Sequence, residues 1–283
     1  MRKPTLIGSA IAAVLSTTSA LAADMALKAP PPAPVYRWTG FYGGGNIGYS
    51  WGSTSGNLGD PDIFFFSGLG SLPTSFAESL TPKGVIGGGQ FGYNYQLNPT
   101  WVVGLEADLQ LSDEHARDSQ SASTGGVFTG PGITSFTSSN VGTTFESRIS
   151  WFGTARARAG VLITPTTLLY GTGGVAFGGV KLSGDGAANI NLTACIAGIG
   201  CIPTGGASGA FAFSQSTTRV GWTLGGGVEG VLTGNWTWKA EYLHLDLGSV
   251  SGSVPDNFSG TASWSAKFTD NIARAGVNYK FGH

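Results

Sequence analysis

His244 and Asp246 are the residue pair whose spacing is closest to catalytic chemistry, since they lie two positions apart in a stretch of alternating apolar and polar residues. On a β-strand such residues point to the same face, so Asp246 could orient the His244 imidazole as a general base. An enzyme of this kind also needs a nucleophile or an activated water beside that base. The sequence identifies neither, and His115 and His283 are scattered elsewhere, so no catalytic residue is predicted.

Three glycine-rich stretches match the G-x-G-x-x-G pattern of dinucleotide-binding loops, at 43–48, 87–92 and 225–230. That function needs the pattern at a strand-to-helix turn, with an acidic residue about 20 positions further on. Here the glycines lie inside alternating stretches that no amphipathic helix follows. We interpret them as allowing tight curvature and close packing in a small barrel, and no cofactor is predicted.

Cys195 and Cys201 are the only cysteines, and Ile-Ala-Gly-Ile-Gly separates them. An exported chain crosses an oxidising compartment, so we predict a disulfide between them; the alternative is that both stay reduced. Zinc prefers about four ligands, and no histidine lies nearby, so a metal site is not predicted.

Nine charged residues fall on the face of their strands opposite the apolar one. The acidic members are Glu106, Asp108, Glu229 and Glu241, and the basic members are Arg156, Arg158, Lys239, Arg274 and Lys280. An eight-stranded barrel is just wide enough for its own side chains, and a buried unpaired charge is costly. We therefore predict a network of ion pairs that fills the barrel. The alternatives are a charged pore lining that selects small ions and, for Glu106 with Asp108, a catalytic carboxylate pair.

The elements that must position these residues are eight alternating stretches. We predict strands at 39–52, 84–96, 101–112, 147–163, 167–181, 218–232, 236–249 and 268–281. Tight turns at 97–100, 164–166 and 233–235 alternate with long polar segments at 53–83, 113–146, 182–217 and 250–267. Short turns on one side and long loops on the other are typical of an outer-membrane barrel with its short turns in the periplasm.

Aromatic residues at the strand ends test this arrangement independently. Trp51, Trp151 and Trp222 fall at the outer end of their strands, and Trp101 and Trp236 at the inner end. Two aromatic girdles on the apolar face are typical of a surface that meets lipid. The sequence thus predicts an all-β fold, a closed antiparallel transmembrane β-barrel of eight strands with long extracellular loops and short periplasmic turns.

The N-terminus predicts export. Arg2 and Lys3 precede an apolar run from Leu6 to Leu15, and Ala20-Leu21-Ala22 then supplies the small residues of a cleavage site. This is the order of a secretory signal. We assign residues 1–22 to a signal peptide for the Sec pathway, 23–37 to a Pro-rich periplasmic tether and 38–283 to the barrel domain.

Composition excludes other classes. The 15 Lys and Arg residues nearly balance the 16 Asp and Glu residues, and no basic stripe suggests nucleic acid. Charged residues make up 11% of the chain, against about a quarter in a soluble domain.

Several motifs carry a resemblance to a known family. They are the Pro-rich tether, the stretch from Trp38 to Gly44, Gly92-Tyr93-Asn94-Tyr95, the stretch from Lys239 to Leu243, and the stretch from Val277 to Phe281. With these motifs the chain resembles the small alphaproteobacterial outer-membrane proteins known as porin-family or outer-membrane immunogenic proteins, with an OmpA-type barrel. The resemblance covers nearly the whole mature chain except the long loops.

The resemblance implies location in the outer membrane of a Gram-negative cell, contact with outer-membrane lipid and lipopolysaccharide, and no catalytic residues. It also implies that Val277, Tyr279 and Phe281 form a signal for the barrel-assembly machinery. This chain departs from the family pattern there, because Gly282 and His283 follow the terminal Phe281. We expect a structural, surface-exposed envelope protein whose loops contact host or environmental ligands. A small-solute porin is the main alternative, and a lipid- or peptide-modifying enzyme a further one.

Overall fold

The computed structural model describes residues 36–59, 75–255 and 261–282. The predicted signal peptide and most of the predicted tether lie outside these residues. Nine strands are present in the described part of the chain. They are β1 (Gly40–Gly59), β2 (Ser75–Leu80), β3 (Lys83–Gln96), β4 (Trp101–Gly130), β5 (Ile133–Thr164), β6 (Thr167–Ile196), β7 (Gly200–Thr233), β8 (Trp236–Pro255) and β9 (Thr261–Lys280).

The strands close into a ring. Each of β3 to β9 pairs antiparallel with its neighbour in the chain, and β1 pairs with both β3 and β9. The short β2 pairs only with the far end of β1, from Thr54 to Gly59, and so adds no member to the ring. This confirms the predicted closed antiparallel barrel of eight strands.

Alternation along each strand sorts the side chains between lumen and exterior. In β9, Arg274 and Asn278 are buried, whereas Val277 and Tyr279 on the other parity are exposed. The exterior aromatics meet across strands at both ends of the barrel. Trp236 and Tyr279 lie 5.1 Å apart by ring centroids at the end with the short turns, here called the turn rim. Trp51 and Tyr242 lie 6.2 Å apart at the opposite end, the blade rim.

The described residues contain no helix that is long and apolar enough to cross a membrane.

The long segments predicted as polar loops at 113–146 and 182–217 are regular strands, so that prediction is wrong about the backbone. They continue β4 to β7 beyond the blade rim as a four-stranded antiparallel sheet, residues 116–146 and 182–217, which we call the blade. Pro131-Gly132 makes the β4–β5 turn, with Gly132 at φ 74°, a conformation that favours glycine.

The other two predicted loops also contain strand residues. Segment 53–83 contains the end of β1 and all of β2, and segment 250–267 contains the end of β8 and the start of β9. Residues 60–74 and 256–260 lie outside the described part.

The blade is held because its lumen-side face is apolar. Phe145 of β5 and Leu182 of β6 are buried, and Phe213 of β7 stacks on Trp264 of β9 with ring centroids 4.9 Å apart. They belong to an apolar cluster that continues down into the outer part of the lumen through Phe152, Leu243, Ile272 and their neighbours. Burial of these side chains stabilises strands whose Ser, Thr and Gly content favours loops.

Candidate functional site

The barrel lumen on the turn-rim side of the apolar cluster holds the predicted charges. Strand register sets opposite charges face to face across neighbouring strands: Glu106 lies opposite Arg156, Glu229 opposite Lys239, and Glu241 opposite Arg274. Directly opposed side chains on one face of an antiparallel pair are close enough to interact. The parity that puts apolar residues on the exterior therefore also pairs the interior charges.

Eight of the nine predicted charges form a single ion-pair network. Arg156 contacts Glu106 and lies 3.0 Å from both Asp108 and Glu241. Arg274 lies 2.9 Å from Asp108 and 2.6 Å from Glu241. All of these side chains are at most 3% exposed. Lys239 pairs with Glu106 at 2.8 Å. Arg158 joins the network through Glu106 at 3.5 Å and pairs with Glu229 at 2.7 Å.

Two tyrosines that the sequence analysis did not include hold the network in place. The Tyr42 hydroxyl donates to Glu106 Oε2 at 2.7 Å and accepts from Arg158 Nη1 at 2.9 Å. The Tyr170 hydroxyl donates to Glu241 Oε1 at 3.1 Å, and its ring centroid lies 3.9 Å from Arg158 Cζ. Tyr170 falls on the polar parity of its strand, a signal that could have placed it in the lumen.

Neutral polar side chains extend the network across the barrel. Asn46 donates to Gln90, Gln90 Nε2 donates to Asn278 Oδ1 at 2.7 Å, and Asn278 Nδ2 donates to Glu229 Oε1 at 3.1 Å. Thr237 also donates to Glu229, at 2.7 Å. These hydrogen bonds link β1, β3, β9, β7 and β8 across the lumen, which satisfies buried polar groups that would otherwise be costly.

Lys280 is not part of the network, so its inclusion is a correction. It lies at the turn rim, where its ammonium group donates to the Arg37 carbonyl oxygen and lies 4.8 Å from the Tyr36 ring centroid. No ion pair to Lys280 occurs among the described residues. The reason is its position along the strand. Lys280 is the last residue of β9, two residues beyond Asn278, so its side chain lies at the turn rim and not beside the carboxylates of the network.

Trp38 closes the lumen at the turn rim. Its side chain is buried, its backbone N–H donates to Gln96 Oε1 at 3.2 Å, and its indole N–H donates to the Pro165 carbonyl at 3.2 Å. Tyr36 packs beside it, with ring centroids 5.2 Å apart. Burial raises the pKa of Tyr36 to about 12, and the negative charge of Glu229 adds to the effect. The end of the predicted tether thus contacts the barrel as a cap.

The glycines of the dinucleotide-like motifs serve close packing. A Cβ on Gly88 would lie 2.1 Å from the Leu109 carbonyl oxygen, and one on Gly225 would lie 2.1 Å from the Tyr242 carbonyl oxygen. Neither neighbour is a flexible side chain that could move away. Both positions lie within strands, as the interpretation of these motifs requires.

A second buried acidic pair, which the sequence analysis missed, lies near the blade rim. The side chains of Glu114 and Asp270 are both buried there. The Ser50 hydroxyl lies 2.7 Å from both carboxyl groups. The strand predicted from the sequence ends at residue 112, so Glu114 was not assigned to either face of the barrel wall. In the structure β4 continues past it.

His244 and Asp246 lie on the exterior face of β8 near the blade rim, and each contacts other groups. His244 Nδ1 lies 2.9 Å from Asn271 Oδ1, and its ring centroid lies 5.5 Å from that of Trp222. Asp246 pairs with Lys267 at 3.1 Å and accepts from the Gly248 backbone N–H at 2.8 Å. The described contacts thus do not join the two side chains as a dyad.

The remaining predicted site residues lie at opposite ends of the molecule. Cys195 and Cys201 lie directly opposite one another at the end of the β6–β7 hairpin, joined by a disulfide. Val277, Tyr279 and Phe281 share the exterior face of β9 at the turn rim, where Tyr279 contacts both Trp236 and Phe281. Their role as an assembly signal stays a prediction.

Comparison with known proteins gives concordant sequence matches. The family described as "Outer membrane protein beta-barrel domain" matches residues 10–281. The 31 kDa outer-membrane immunogenic protein of Brucella melitensis biotype 1 is 34% identical over 277 residues, which cover 95% of this chain and 96% of that protein. The 22 kDa outer membrane protein of Rhizobium leguminosarum bv. viciae is 29% identical over 251 residues, which cover 89% and 82%.

The matches to solved structures are weaker. Ail, the attachment invasion locus protein of Yersinia pestis, matches with a TM-score of 0.29 and 15% identity over 83% of this chain and 99% of that one. Neisserial surface protein A matches with a TM-score of 0.30 and 13% identity over 86% and 98%. The family assignment therefore comes from the sequence matches.

Proposed function

The chain belongs to the outer membrane protein β-barrel family, and we propose that it serves as a non-conducting mount that holds the blade at the cell surface. In this role the barrel anchors the protein in the outer membrane, and the blade makes contacts with lipopolysaccharide, host or environment. The proposal combines two features of the described residues, a filled lumen and a long extramembrane sheet.

The filled lumen is the observation that carries the proposal. Three successive layers occupy it, namely the Trp38 cap, the ion-pair network and the apolar cluster. The four acidic and four basic members of the network balance in charge, so the network itself carries no excess charge that would attract one sign of ion. An eight-stranded barrel leaves little room beyond its own side chains.

The blade supports the second half of the proposal. Ile133, at the end of β5, lies at most about 60 Å along the strand from Trp151 at the blade rim, at roughly 3.3 Å per residue. A sheet of this reach, supported by the rigid barrel, can present side chains well away from the membrane that anchors it. Such extramembrane connections are where a barrel scaffold carries contact functions.

Proteoliposome permeability tests the non-conducting barrel. Liposomes that carry the refolded protein should swell in isotonic sugar no faster than empty liposomes, and planar bilayers should show no steady current. The triple variant Trp38→Ala, Arg156→Ala, Phe152→Ala removes one side chain from each of the three layers and is the positive comparison. Large, steady currents from the unaltered protein, with an ion selectivity that changes in Arg156→Ala or Glu229→Ala, would instead support a porin.

A further inference from the structure

The far end of the blade carries a cluster of exposed apolar side chains. We call it the apical tip: residues 127–136 of the β4–β5 hairpin and 195–202 of the β6–β7 hairpin. Its large apolar side chains are exposed to between 43% and 74%, values that resemble the membrane-facing belt more than an ordinary soluble surface. They are Val127, Phe128, Ile133, Phe136, Ile199 and Ile202. Large exposed apolar patches of this kind mark sites of association with a protein or a membrane.

The apical tip is apolar on both faces of the sheet. Register places Phe128, Ile133 and Ile202 on the lumen-side face, the parity of the buried Phe145 and Phe213. Val127 and Phe136 lie opposite one another on the other face, and Ile199 lies in the turn between β6 and β7. A protein partner covers one face of a sheet. A medium that surrounds the tip on both faces fits this arrangement better.

The segments that form the tip are free of charged residues over a long stretch of sequence. Residues 119–145 and 186–218 contain no Lys, Arg, Asp, Glu or His. Insertion of this segment into an apolar medium therefore desolvates no ionised side chain, which would be the largest cost of such a step. These segments also offer no basic side chain that could bind an acidic or sulfated surface.

The size of the tip argues against a stable protein interface. Specific protein interfaces use about 20–30 residues on each side, whereas the tip offers six large apolar side chains on two narrow hairpin ends. A few apolar side chains are enough to hold a peptide at a bilayer interface, where affinity follows the buried apolar area.

The tip is also held together before any encounter. The Cys195–Cys201 disulfide closes one hairpin, and the Ala197 N–H donates to the Gly132 carbonyl of the other hairpin at 3.1 Å. These two links hold the hairpins together in the free protein, which lowers the cost of binding. At this height β4 and β7 each have a strand neighbour on one side only within the described residues. Their open edges limit insertion to a shallow depth, because hydrocarbon leaves backbone groups unsatisfied.

We propose that the apical tip inserts shallowly into a neutral lipid bilayer other than the one that holds the barrel. The inference deepens the proposed function, since it rests on the blade as a surface for contacts and specifies what the tip contacts. Attachment through it should depend on apolar side chains and be insensitive to salt.

Vesicle co-flotation tests the inference with the full mature chain in lipid nanodiscs. Nanodiscs that carry the protein should float with added phosphatidylcholine vesicles, and equally so at low and high salt. The triple variant Phe128→Ser, Ile133→Ser, Ile199→Ser should lower the floated fraction at least tenfold. The matched control Ala187→Ser, Ala210→Ser, Ala212→Ser changes three exposed alanines lower on the blade and should float like the unaltered protein.

A depth measurement separates insertion from loose adhesion. With brominated phosphatidylcholine vesicles, the F128W variant should show fluorescence quenching beyond that of the unaltered protein, which contains eight tryptophans. The proposal is overturned if the unaltered protein does not float, if the triple variant floats equally well, or if binding needs anionic lipid and is lost in salt. Association between nanodiscs without vesicles, abolished in the triple variant, would overturn it in favour of a second copy of this chain. None of these outcomes affects the permeability test of the barrel.

Discussion

The ion-pair network and the apical tip differ in both charge and exposure. In the lumen, eight charges are buried and each meets an opposite charge. At the tip, large apolar side chains are exposed, and the sequence around them contains no charge. A filled lumen gives a rigid barrel without the need for any ligand, whereas the tip keeps apolar surface available. The buried charges of the lumen are all paired, whereas the apolar side chains of the tip are left exposed. The surface that is available for binding therefore lies at the tip and not in the lumen.

The strongest way to break this comparison is to remove one buried charge. Arg156→Ala removes one of the two guanidinium groups that contact Glu106, Asp108 and Glu241. Loss of one member of a buried pair typically costs about 3–5 kcal/mol. We expect a lower urea midpoint in detergent and loss of the migration difference between boiled and unboiled samples on SDS gels.

The matched control is Arg148→Ala, whose side chain is half exposed and lies 3.8 Å from Asp113. An exposed pair of this kind contributes about 0–1 kcal/mol. Equal losses of stability in the two variants would contradict a structural role for the network.

A second substitution tests whether the blade and the barrel are separable. Phe213→Ala removes the ring stacked on Trp264, and a buried Phe→Ala change typically costs about 3–5 kcal/mol locally. We expect faster amide hydrogen exchange and faster thermolysin cleavage in 182–217, with exchange in the barrel around Glu106 and Arg274 unchanged. If Phe213→Ala lowered the global midpoint as much as the equivalent change of Phe152 within the lumen, blade and barrel would unfold as one unit.

The cap predicts a smaller effect that depends on pH. The pKa of the Tyr36 phenol rises from 10.0 in a free tyrosine to about 12 in the folded protein. Between these values the unfolded chain loses the proton first, so stability should fall as pH rises from 10 towards 12. Tyr36→Phe should reduce this fall while leaving stability at pH 7 nearly unchanged. An identical alkaline profile in the variant would show that Tyr36 does not contribute.

The smallest effect is expected from the disulfide. Mass spectrometry of the exported, non-reduced protein should find the peptide with Cys195 and Cys201 two hydrogens lighter than its reduced form. Cys195→Ser with Cys201→Ser should leave the unfolding midpoint of the barrel unchanged, because the bond closes a short loop at the tip, remote from the network. Free thiols in envelope preparations would count against the bond.

The transmembrane parts of the strands were predictable because lipid and lumen impose a strict alternation. The residues from Ala273 to Phe281 show it without interruption, and the same parity located eight of the nine predicted charges. Lys280 failed because parity gives the face of a strand but not the depth. Tyr42 and Gln90 were missed because only charged residues were followed, although both lie on the lumen parity.

The blade could not be predicted in the same way. Its lumen-side parity includes Thr143, Gly184 and Gly186 among Phe145 and Leu182, so the apolar signal is diluted by small and polar residues. The strand character comes from packing on Trp264, which lies far along the chain and leaves no mark on local composition.

Trp38 carries a consequence for the order in which the molecule is built. Its partner Gln96 ends β3 and its partner Pro165 lies in the turn between β5 and β6. The residue before it, Arg37, accepts a hydrogen bond from Lys280 of the last strand. The contact between Arg37 and Lys280 cannot form until the C-terminal strand has joined the first one. The N-terminal residues can therefore complete their contacts at the mouth only after the ring has closed, so this contact reports that the last strand is in place.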